Sequence, residues 1–319
     1  MKSTILFGAL LGLAIHAGAA DYPFKPIRIV VGFGAGSISD ILARTVSVRL
    51  ADTLKQQVVV DNRPGAGGNI GGEIVAVAAP DGYTIMLAPA SVLSINQSLY
   101  SSMPYNSATA FAPIAQMSTN SNVLVIIPSL PAKSVKELVA YGKGNPGKLN
   151  FASVGAGGTV HLSGELFKSM TGIEMVHIAY KSSPLAHIDL FGGQVQMMFD
   201  TIPTALPHIN AGKLRALGVT AAKRSQLLPE LPTIAESGLP SYEAVNFNGF
   251  VAPAGMPKDI IGKLNLEIVR IINLADVKEN LLKSGAEPAP GSPEAFSQLI
   301  KDSAAKWSAI VKALGLKIE

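Results

Sequence analysis

The chain has 319 residues, of which 48% are hydrophobic and 15% are charged, with a net charge of +4 and no cysteine. This composition is typical of a globular protein with a large core, and it excludes a disordered or coiled-coil chain. The lack of cysteine excludes disulfides, thiolate metal sites, a cysteine nucleophile and a lipid-modified cysteine, and the scattered lysines and arginines form no stripe for nucleic acid.

The N-terminal segment has the pattern of an export signal. Lys2 precedes a short apolar stretch, Ile5–Ile15, which falls below the ~18 residues needed to span a bilayer. Small residues follow, so cleavage is expected near Ala19 or Ala20. A membrane anchor or a core helix is the alternative for this segment. We expect a soluble periplasmic protein.

Strand-like and helix-like patterns then alternate along the chain. The predicted strands are Ile27–Val31, Val58–Val60, Thr84–Leu87, Val123–Ile127, Leu149–Ala152, Val176–Ala179, Val195–Phe199 and Leu214–Val219. The predicted helices are Ser39–Leu54, Ile70–Ala79, Val135–Gly142, Thr159–Met170, Ser183–Phe191, a broken Lys258–Lys283, and Pro293–Leu314. This alternation favours βαβ units with mostly parallel strands. Ligands of such sheets bind beyond the carboxyl ends of the strands.

Two stretches repeat one pattern of strand, glycine-rich loop with hydroxyl side chains, and helix. They read "IVVGFGAGSISD" at 29–40 and "ASVGAGGTVH" at 152–161. A helix N-terminus exposes unpaired N–H groups and carries partial positive charge, and glycine lets an anion approach the backbone closely. The repeat predicts two lobes that present anion-binding loops to one cleft, for a phosphate, sulfate or carboxylate.

The motifs of nucleotide binding and hydrolysis are incomplete. Gly32 and Gly34 are followed by Ser37, where a dinucleotide fingerprint needs its third glycine. The chain has no GxxxxGK[ST], no GxSxG and no HExxH motif. The sequence therefore favours solute binding by two lobes that close about a hinge.

Longer stretches carry a family resemblance, among them "NRPGAGGNIGGEIVAVAAPDGYTIMLA" at 62–88 and "AYKSSPLAHIDLFGGQVQMMFD" at 179–200, with 130–167 and 212–243. Through them the chain resembles the Bug receptors of tripartite tricarboxylate transporters over nearly its whole length. The resemblance implies a type II periplasmic-binding-protein fold, in the α/β class, with two α/β lobes joined by crossover strands around a ligand cleft. The implied division is a signal peptide at 1–20, a first lobe of 21–122 with 241–319, and a second lobe of 123–240.

The same resemblance implies capture of a small carboxylate, either a di- or tricarboxylate or an aromatic carboxylate, by hinge closure. A monomeric receptor would deliver it to the large and small permease subunits in the inner membrane, with no cofactor, no metal and no catalysis. A sensory subunit that presents its ligand-bound form to a signalling partner is an open alternative. An exported enzyme that acts on a carboxylate is another.

The resemblance also implies the site residues. The first lobe would contribute Phe33, Gly34, Ala35, Gly36, Ser37, Ile38, Asp40, Ser91, Leu93 and Asn96. The second lobe would contribute Ser153, Gly155, Gly157, Gly158, Thr159, His161, Tyr180, Lys181, Ser182 and Asp200, and Phe247 completes the set. Asp40 could equally be a helix cap, Lys181 a solvated charge and Asp200 a strand end.

The first loop departs from the family pattern in ways that bear on ligand choice. Ser37 adds a hydroxyl, Ile38 is bulky, and Leu93 stands where histidine is common. With Phe247, these residues motivate the hypothesis of a carboxylate with an aromatic or otherwise apolar body.

Overall fold

The structure is a computed structural model that describes residues 22–154 and 157–318. The predicted export signal at 1–20 therefore lies outside the described residues. The strands are β1 Ile27–Val31, β2 Val58–Asn62, β3 Thr84–Pro89, β4 Phe111–Ile126, β5 Leu149–Val154, β6 Met175–Tyr180, β7 Met197–Thr201, β8 Arg215–Val219, β9 Val245–Pro253 and β10 Glu287–Pro288. The helices are α1 Ile38–Leu54, α2 Asn69–Ala76, α3 Asn96–Leu99, α4 Ser107–Ala110, α5 Val135–Gly144, α6 Thr159–Thr171, α7 Ser183–Phe191, α8 Ile202–Asn210, α9 Lys258–Ile272, α10 Ala275–Lys283 and α11 Pro293–Ala313. A 3-10 turn covers Ala66–Gly68 and a π-helical turn covers Ser91–Ile95.

The strands pair in the order β2-β1-β3-β9-β4-β7-β5-β6, with β8 and β10 also paired to β4. Parallel β1, β2 and β3 with antiparallel β9 form the first lobe, together with α1 and α2. Parallel β5, β6 and β7 form the second lobe with α5 to α8. These are the two α/β lobes that the repeated glycine-rich pattern predicts.

The long strand β4 belongs to both lobes. Its residues from Phe111 to Ser121 pair with β9, and those from Asn122 to Ile126 pair with β7 and β8. The chain returns beside it, because the Ala244 N–H donates to the Thr220 carbonyl at 2.9 Å and the Asn122 N–H donates to the Thr220 hydroxyl at 2.9 Å. Two crossover segments therefore lie side by side between the lobes.

The predicted strands are confirmed, most of them with longer bounds, but two crossover regions were missed. The prediction begins β4 at Val123 rather than Phe111, because Pro113 and two register shifts interrupt its alternation. It omits β9, which contains Gly249, where a methyl group would overlap the Phe296 ring. The interior Pro207 similarly hides α8.

The helix α1 buries a narrower stripe than its sequence predicts. Leu42, Val46 and Leu50 are fully buried in the first-lobe core, each contributing about 1.5–3 kcal/mol relative to exposure. Ile41, predicted on the same side, is 41% exposed. Its predicted burial is wrong because Ile41 lies about a quarter turn around the helix from the buried stripe of Leu42, Val46 and Leu50. This packing fixes where the helix N-terminus points.

Candidate functional site

A cavity of about 170 Å³ lies between the two lobes, at the carboxyl ends of their parallel strands. It is lined by Phe33, Ser37, Ile38, Ser39, Pro89, Ser91, Gly158, Thr159 and Asn246. The N-termini of α1, the π-helical turn and α6 all reach it. Its volume is below that of pockets for drug-sized molecules, so it suits a small solute.

The N-terminus of α1 is capped in a way that leaves donors at the cavity. Ser37 is the N-cap, and its hydroxyl accepts from the Asp40 N–H at 3.3 Å. The Ser37 N–H is used within the loop, where it donates to the Gly34 carbonyl at 3.1 Å. Within the described chain the N–H groups of Ile38 and Ser39 have no partner, so both can donate to a ligand.

Asp40 is buried and fully engaged by the loop around it. Its carboxylate accepts from the Gly36 N–H at 2.9 Å, from Arg44 Nε at 3.0 Å and from Asn62 Nδ2 at 2.9 Å. Burial raises the pKa of this carboxyl, but the hydrogen bonds from Arg44, Gly36 and Asn62 outweigh burial and lower it overall. Asp40 therefore stays ionised and holds the first glycine-rich loop in place without lining the cavity itself.

Neighbouring side chains of strand β9 point to opposite faces of the crossover region. Asn246 faces the cavity, and its Oδ1 accepts from the Ala90 N–H at 3.2 Å, while its Nδ2 has no partner among the described residues. Phe247 faces the opposite side, since side chains alternate along a strand. It packs edge-on against Phe296 at 5.9 Å. The alternation in "VNFNGF" could have pointed to Asn246, but β9 was not predicted.

The N-terminus of α6 contributes the second lobe's face of the cavity. Gly158 is its N-cap without any side-chain cap, and Thr159 follows at the cavity wall. The Gly157 N–H donates to His161 Nδ1 at 3.0 Å, and Gly157 has a φ of +82°. Gly155 lies outside the described residues. Ser153, at the end of β5, lies 2.7 Å from His177 through its hydroxyl.

The other second-lobe candidates lie away from the cavity. The Tyr180 hydroxyl donates to the Asp189 carboxylate at 2.7 Å. Burial and, to a smaller extent, this hydrogen bond and the Asp189 charge raise the pKa of Tyr180 to about 12. Asp200 is buried and accepts from the Ser183 hydroxyl and the Thr201 N–H, with His187 Nε2 at 2.8 Å. Lys181 is exposed and Ser182 is the N-cap of α7. The Asp200 contacts anchor α7 to β7, and the Tyr180 contact joins β6 to α7.

The remaining first-lobe candidates are structural or lie at the rim. Leu93 is 1% exposed and belongs to the core. Asn96 donates to the Gly67 carbonyl at 3.1 Å and to Asn69 Oδ1 at 2.7 Å, which secures the 3-10 turn. Gly34, Ala35 and Gly36 form the exposed rim of the first loop.

The structure thus brings part of the predicted set together around one cavity. The predicted residues that line it are Phe33, Ser37, Ile38, Ser91, Gly158 and Thr159. Ser39, Pro89 and Asn246 also line it and were missed. No charged side chain is among these described lining residues. An anion here would be held by neutral N–H and O–H donors and by helix dipoles.

Larger clefts lie elsewhere on the second lobe. One of about 800 Å³, near α8, has five leucines as well as Arg215 and Glu230 in its lining, and one of about 540 Å³ borders Phe191 and Lys213. Neither cleft is lined by the glycine-rich loops. We therefore take the smaller cavity, which both loops line, as the candidate site.

Within residues 22–154 and 157–318, no His, Asp and Glu side chains group in a way that could hold a metal ion. No helix in those ranges combines the length and apolar character needed to cross a membrane.

Comparison with known proteins identifies the family. The family model for the tripartite tricarboxylate transporter family receptor matches residues 42–316. BugT of Bordetella pertussis is 36% identical over 315 residues, covering 98% of this chain and 97% of BugT. The structure of R. palustris Rpa4515 with adipate is similar at 36% identity and a TM-score of 0.80, covering 93% of this chain and 100% of that one.

MatC from Rhodopseudomonas palustris with bound malate is also similar, at 29% identity and a TM-score of 0.75, with 91% of this chain and 100% of MatC covered. The resemblance to Bug receptors and the expected fold are therefore confirmed. The chain belongs to the tripartite tricarboxylate transporter receptor family, whose members are periplasmic solute-binding proteins and not enzymes.

Proposed function

We propose that this chain captures a small carboxylate in the cavity between its lobes. The observation that carries the proposal is the convergence of helix N-termini from both lobes on one cavity, at Ile38 and at Thr159. Such termini are favourable sites for an anion. The similar proteins with adipate and malate support the same ligand class.

Each lobe would contribute distinct donors to the ligand. From the first lobe, the N–H groups of Ile38 and Ser39 and the hydroxyl of Ser91 would donate to a carboxylate. Asn246 Nδ2 would add a donor from the crossover strand. Thr159, on the second lobe, would complete the site when the lobes come together. Excluding water would then strengthen each hydrogen bond.

Closure would turn on the paired crossover segments. We divide the lobes at residues 21–122 with 241–319 and 123–240. The division is supported by the change of partner in β4 at Ser121 and Asn122 and by the adjacent Thr220–Ala244 hydrogen bond. Small φ and ψ changes in two adjacent segments would rotate one lobe against the other.

The cavity wall supports a ligand with an apolar body. Phe33, Ile38 and Pro89 provide apolar surface, and the described lining residues include no charged side chain. Leu93 and Phe247, which helped to motivate this preference from the sequence, lie elsewhere, so the preference now depends on Phe33 and Pro89 beside Ile38.

In the cell, the exported receptor would hand its ligand to the large and small permease subunits in the inner membrane. The family description supports this role, and the signal-like pattern at 1–20 supports export. Uptake of labelled ligand that requires both the receptor and the permease genes would test it.

Calorimetric titration of the mature protein tests the ligand class. We expect adipate and benzene dicarboxylates to bind at least tenfold more tightly than malate, citrate, aspartate or glutamate, with a matching rise in Tm because the ligand binds the folded state. A preference for malate or citrate would overturn the apolar-body proposal but retain carboxylate capture. Failure of every carboxylate to bind would overturn both.

A further inference from the structure

One hydrogen bond in the second-lobe loop depends on the protonation state of a histidine. The Gly157 N–H donates to His161 Nδ1 at 3.0 Å. Only an unprotonated ring nitrogen accepts a hydrogen bond. The neutral His161 ring must therefore carry its proton on Nε2, which lies 3.7 Å from Glu165 Oε1.

The loop that this bond secures forms the cavity wall. Gly157 is followed directly by Gly158 and Thr159, both of which line the cavity. Gly158, the N-cap of α6, has no side chain that could cap the helix. His161, which is 7% exposed, reaches back from the first turn and accepts from the N–H of Gly157, the residue just before the N-cap. A second proton on His161 would set an N–H group against the Gly157 N–H and break the contact.

The charged and titratable groups around His161 come from its own helix and from β6. His177 on β6 stacks against His161 with 3.9 Å between ring centroids, and its own Nε2 is 2.7 Å from the Ser153 hydroxyl. Glu165 Oε1 on α6 lies 3.7 Å from His161 Nε2, and Lys168 adds a positive charge near Glu165 and His177. The pKa of His177 is lowered to about 4, mainly by burial and to a smaller extent by the nearby His161. His177 therefore stays neutral through the range in which an ordinary imidazole titrates.

We propose that His161 is a positioning residue that holds the Gly157–Thr159 loop in its ligand-binding form only while its Nδ1 is unprotonated. The receptor then binds its carboxylate at neutral pH and releases it in acid. This inference rests on the proposed function of the cavity, since Thr159 is taken to contact the ligand. His161 itself acts through the loop and does not line the cavity.

Calorimetry with adipate between pH 5.5 and 8.0 tests the proposal. Wild-type affinity should be constant at the alkaline end of this range and fall by up to tenfold per pH unit towards its acid end. His161→Asn keeps an acceptor at the Nδ1 position but does not titrate. It should bind within about threefold of wild type at pH 8 and lose the steep acid fall. His161→Leu removes the acceptor and should bind at least tenfold more weakly than wild type at pH 8.

Two comparisons separate His161 from other sources of pH dependence. Ionisation of adipate is common to all variants and cancels in their ratios. His208→Gln, in α8 and away from the loop, should keep the wild-type profile. Coinciding profiles for wild type and His161→Asn would overturn the inference but leave carboxylate capture intact. Absence of adipate binding at pH 8 would instead mean that the proposed adipate site itself fails, and the inference with it.

A measurement on the unaltered protein guards against a variant that does not fold. Nitrogen-15 NMR of the His161 ring in the adipate complex at pH 7.5 should show a protonated Nε2 and an unprotonated Nδ1. Titration of that ring should move the Gly157 amide signal with the same midpoint. A protonated Nδ1 in the complex, or a Gly157 signal that ignores the titration, would overturn the proposal.

Discussion

The side-chain amide of Asn62 donates to the carboxylate of Asp40 at 2.9 Å and to the carbonyl of Phe33 at 3.0 Å. It thereby ties the end of β2 to the first turn of α1 and to the cavity wall. Asn62 opens the recognisable N-R-P-G stretch, which does not itself line the cavity. The stretch acts on the candidate site through Asp40 and Phe33, as support for the loop.

Replacing Asp40 with alanine should weaken both the fold and the loop. The change removes the acceptor of the Gly36 N–H, Arg44 and Asn62. We expect a loss of about 2 kcal/mol in the free energy of unfolding and roughly tenfold weaker carboxylate binding. Urea denaturation and calorimetry measure the two effects.

Asp52→Ala, at an exposed acid of the same helix, is the matched control and should change neither quantity appreciably. If Asp40→Ala lowers stability while affinity is unchanged, Asp40 supports only the helix and not the binding loop.

Asn246→Asp should impair binding without impairing the fold. The aspartate keeps an oxygen for the Ala90 N–H, so the structural bond survives. It replaces the Nδ2 donor at the cavity with a negative charge, which repels a carboxylate. We expect affinity to fall by roughly 10- to 100-fold, with Tm nearly constant. Asn210→Asp adds the same charge on the exposed end of α8 and should bind like wild type. Equal affinity of Asn246→Asp and wild type would remove Asn246 from the site.

Gly157→Ala should hinder the approach of the lobes. A methyl group there would lie 2.6 Å from Ile318 Cδ1 and would also overlap Leu99, both outside the second lobe. Gly147→Ala is the control, because its φ is also positive, at +70°, but open space surrounds it.

Both alanine variants should lose about 1 kcal/mol of stability from the left-handed backbone. Only Gly157→Ala should lose affinity, by tenfold or more, and small-angle scattering should show that it compacts less with ligand. Parallel losses of affinity in the two variants would mean that backbone strain, and not contact between the lobes, is responsible.

His177 should make the fold sensitive to mild acid. Its pKa is lowered to about 4, whereas an unfolded histidine titrates near ~6.5. Between these values the unfolded chain binds the extra proton, so stability falls as the pH drops from 6.5 towards 4, by up to about 3 kcal/mol.

Urea denaturation at several pH values should show this slope in the wild type and a shallower one in His177→Gln. The carboxyl groups of Asp40, Asp61 and Glu165, whose pKa values are lowered, lose their contributions only in stronger acid. A slope that persists unchanged in His177→Gln would assign the effect to other groups.

Much of the fold is local in origin and was accessible from the sequence. The apolar runs and glycine stops of the βα units predict their strands and helices, and these units are confirmed. The glycine-rich loops before α1 and α6 were also recognisable, because a loop that exposes helix N–H groups needs glycine and hydroxyl residues nearby. The crossover strands β4 and β9 were not, since Pro113 interrupts the first, and Gly249 ends the alternation of the second after only Val245 to Asn248.

The composition of the cavity was decided by tertiary structure. Asn246 reaches it because β9 runs antiparallel beside β3, whereas its neighbour Phe247 points to the opposite face. Asp200, Tyr180 and Asn96 carry polar groups typical of sites, but partners away from the cavity engage them. The sequence by itself determined which segments form strands, helices and anion-receptive loops, because those preferences act over a few residues. Which side chains meet at the cavity was decided only by strand order and packing, because those contacts join residues far apart in the chain.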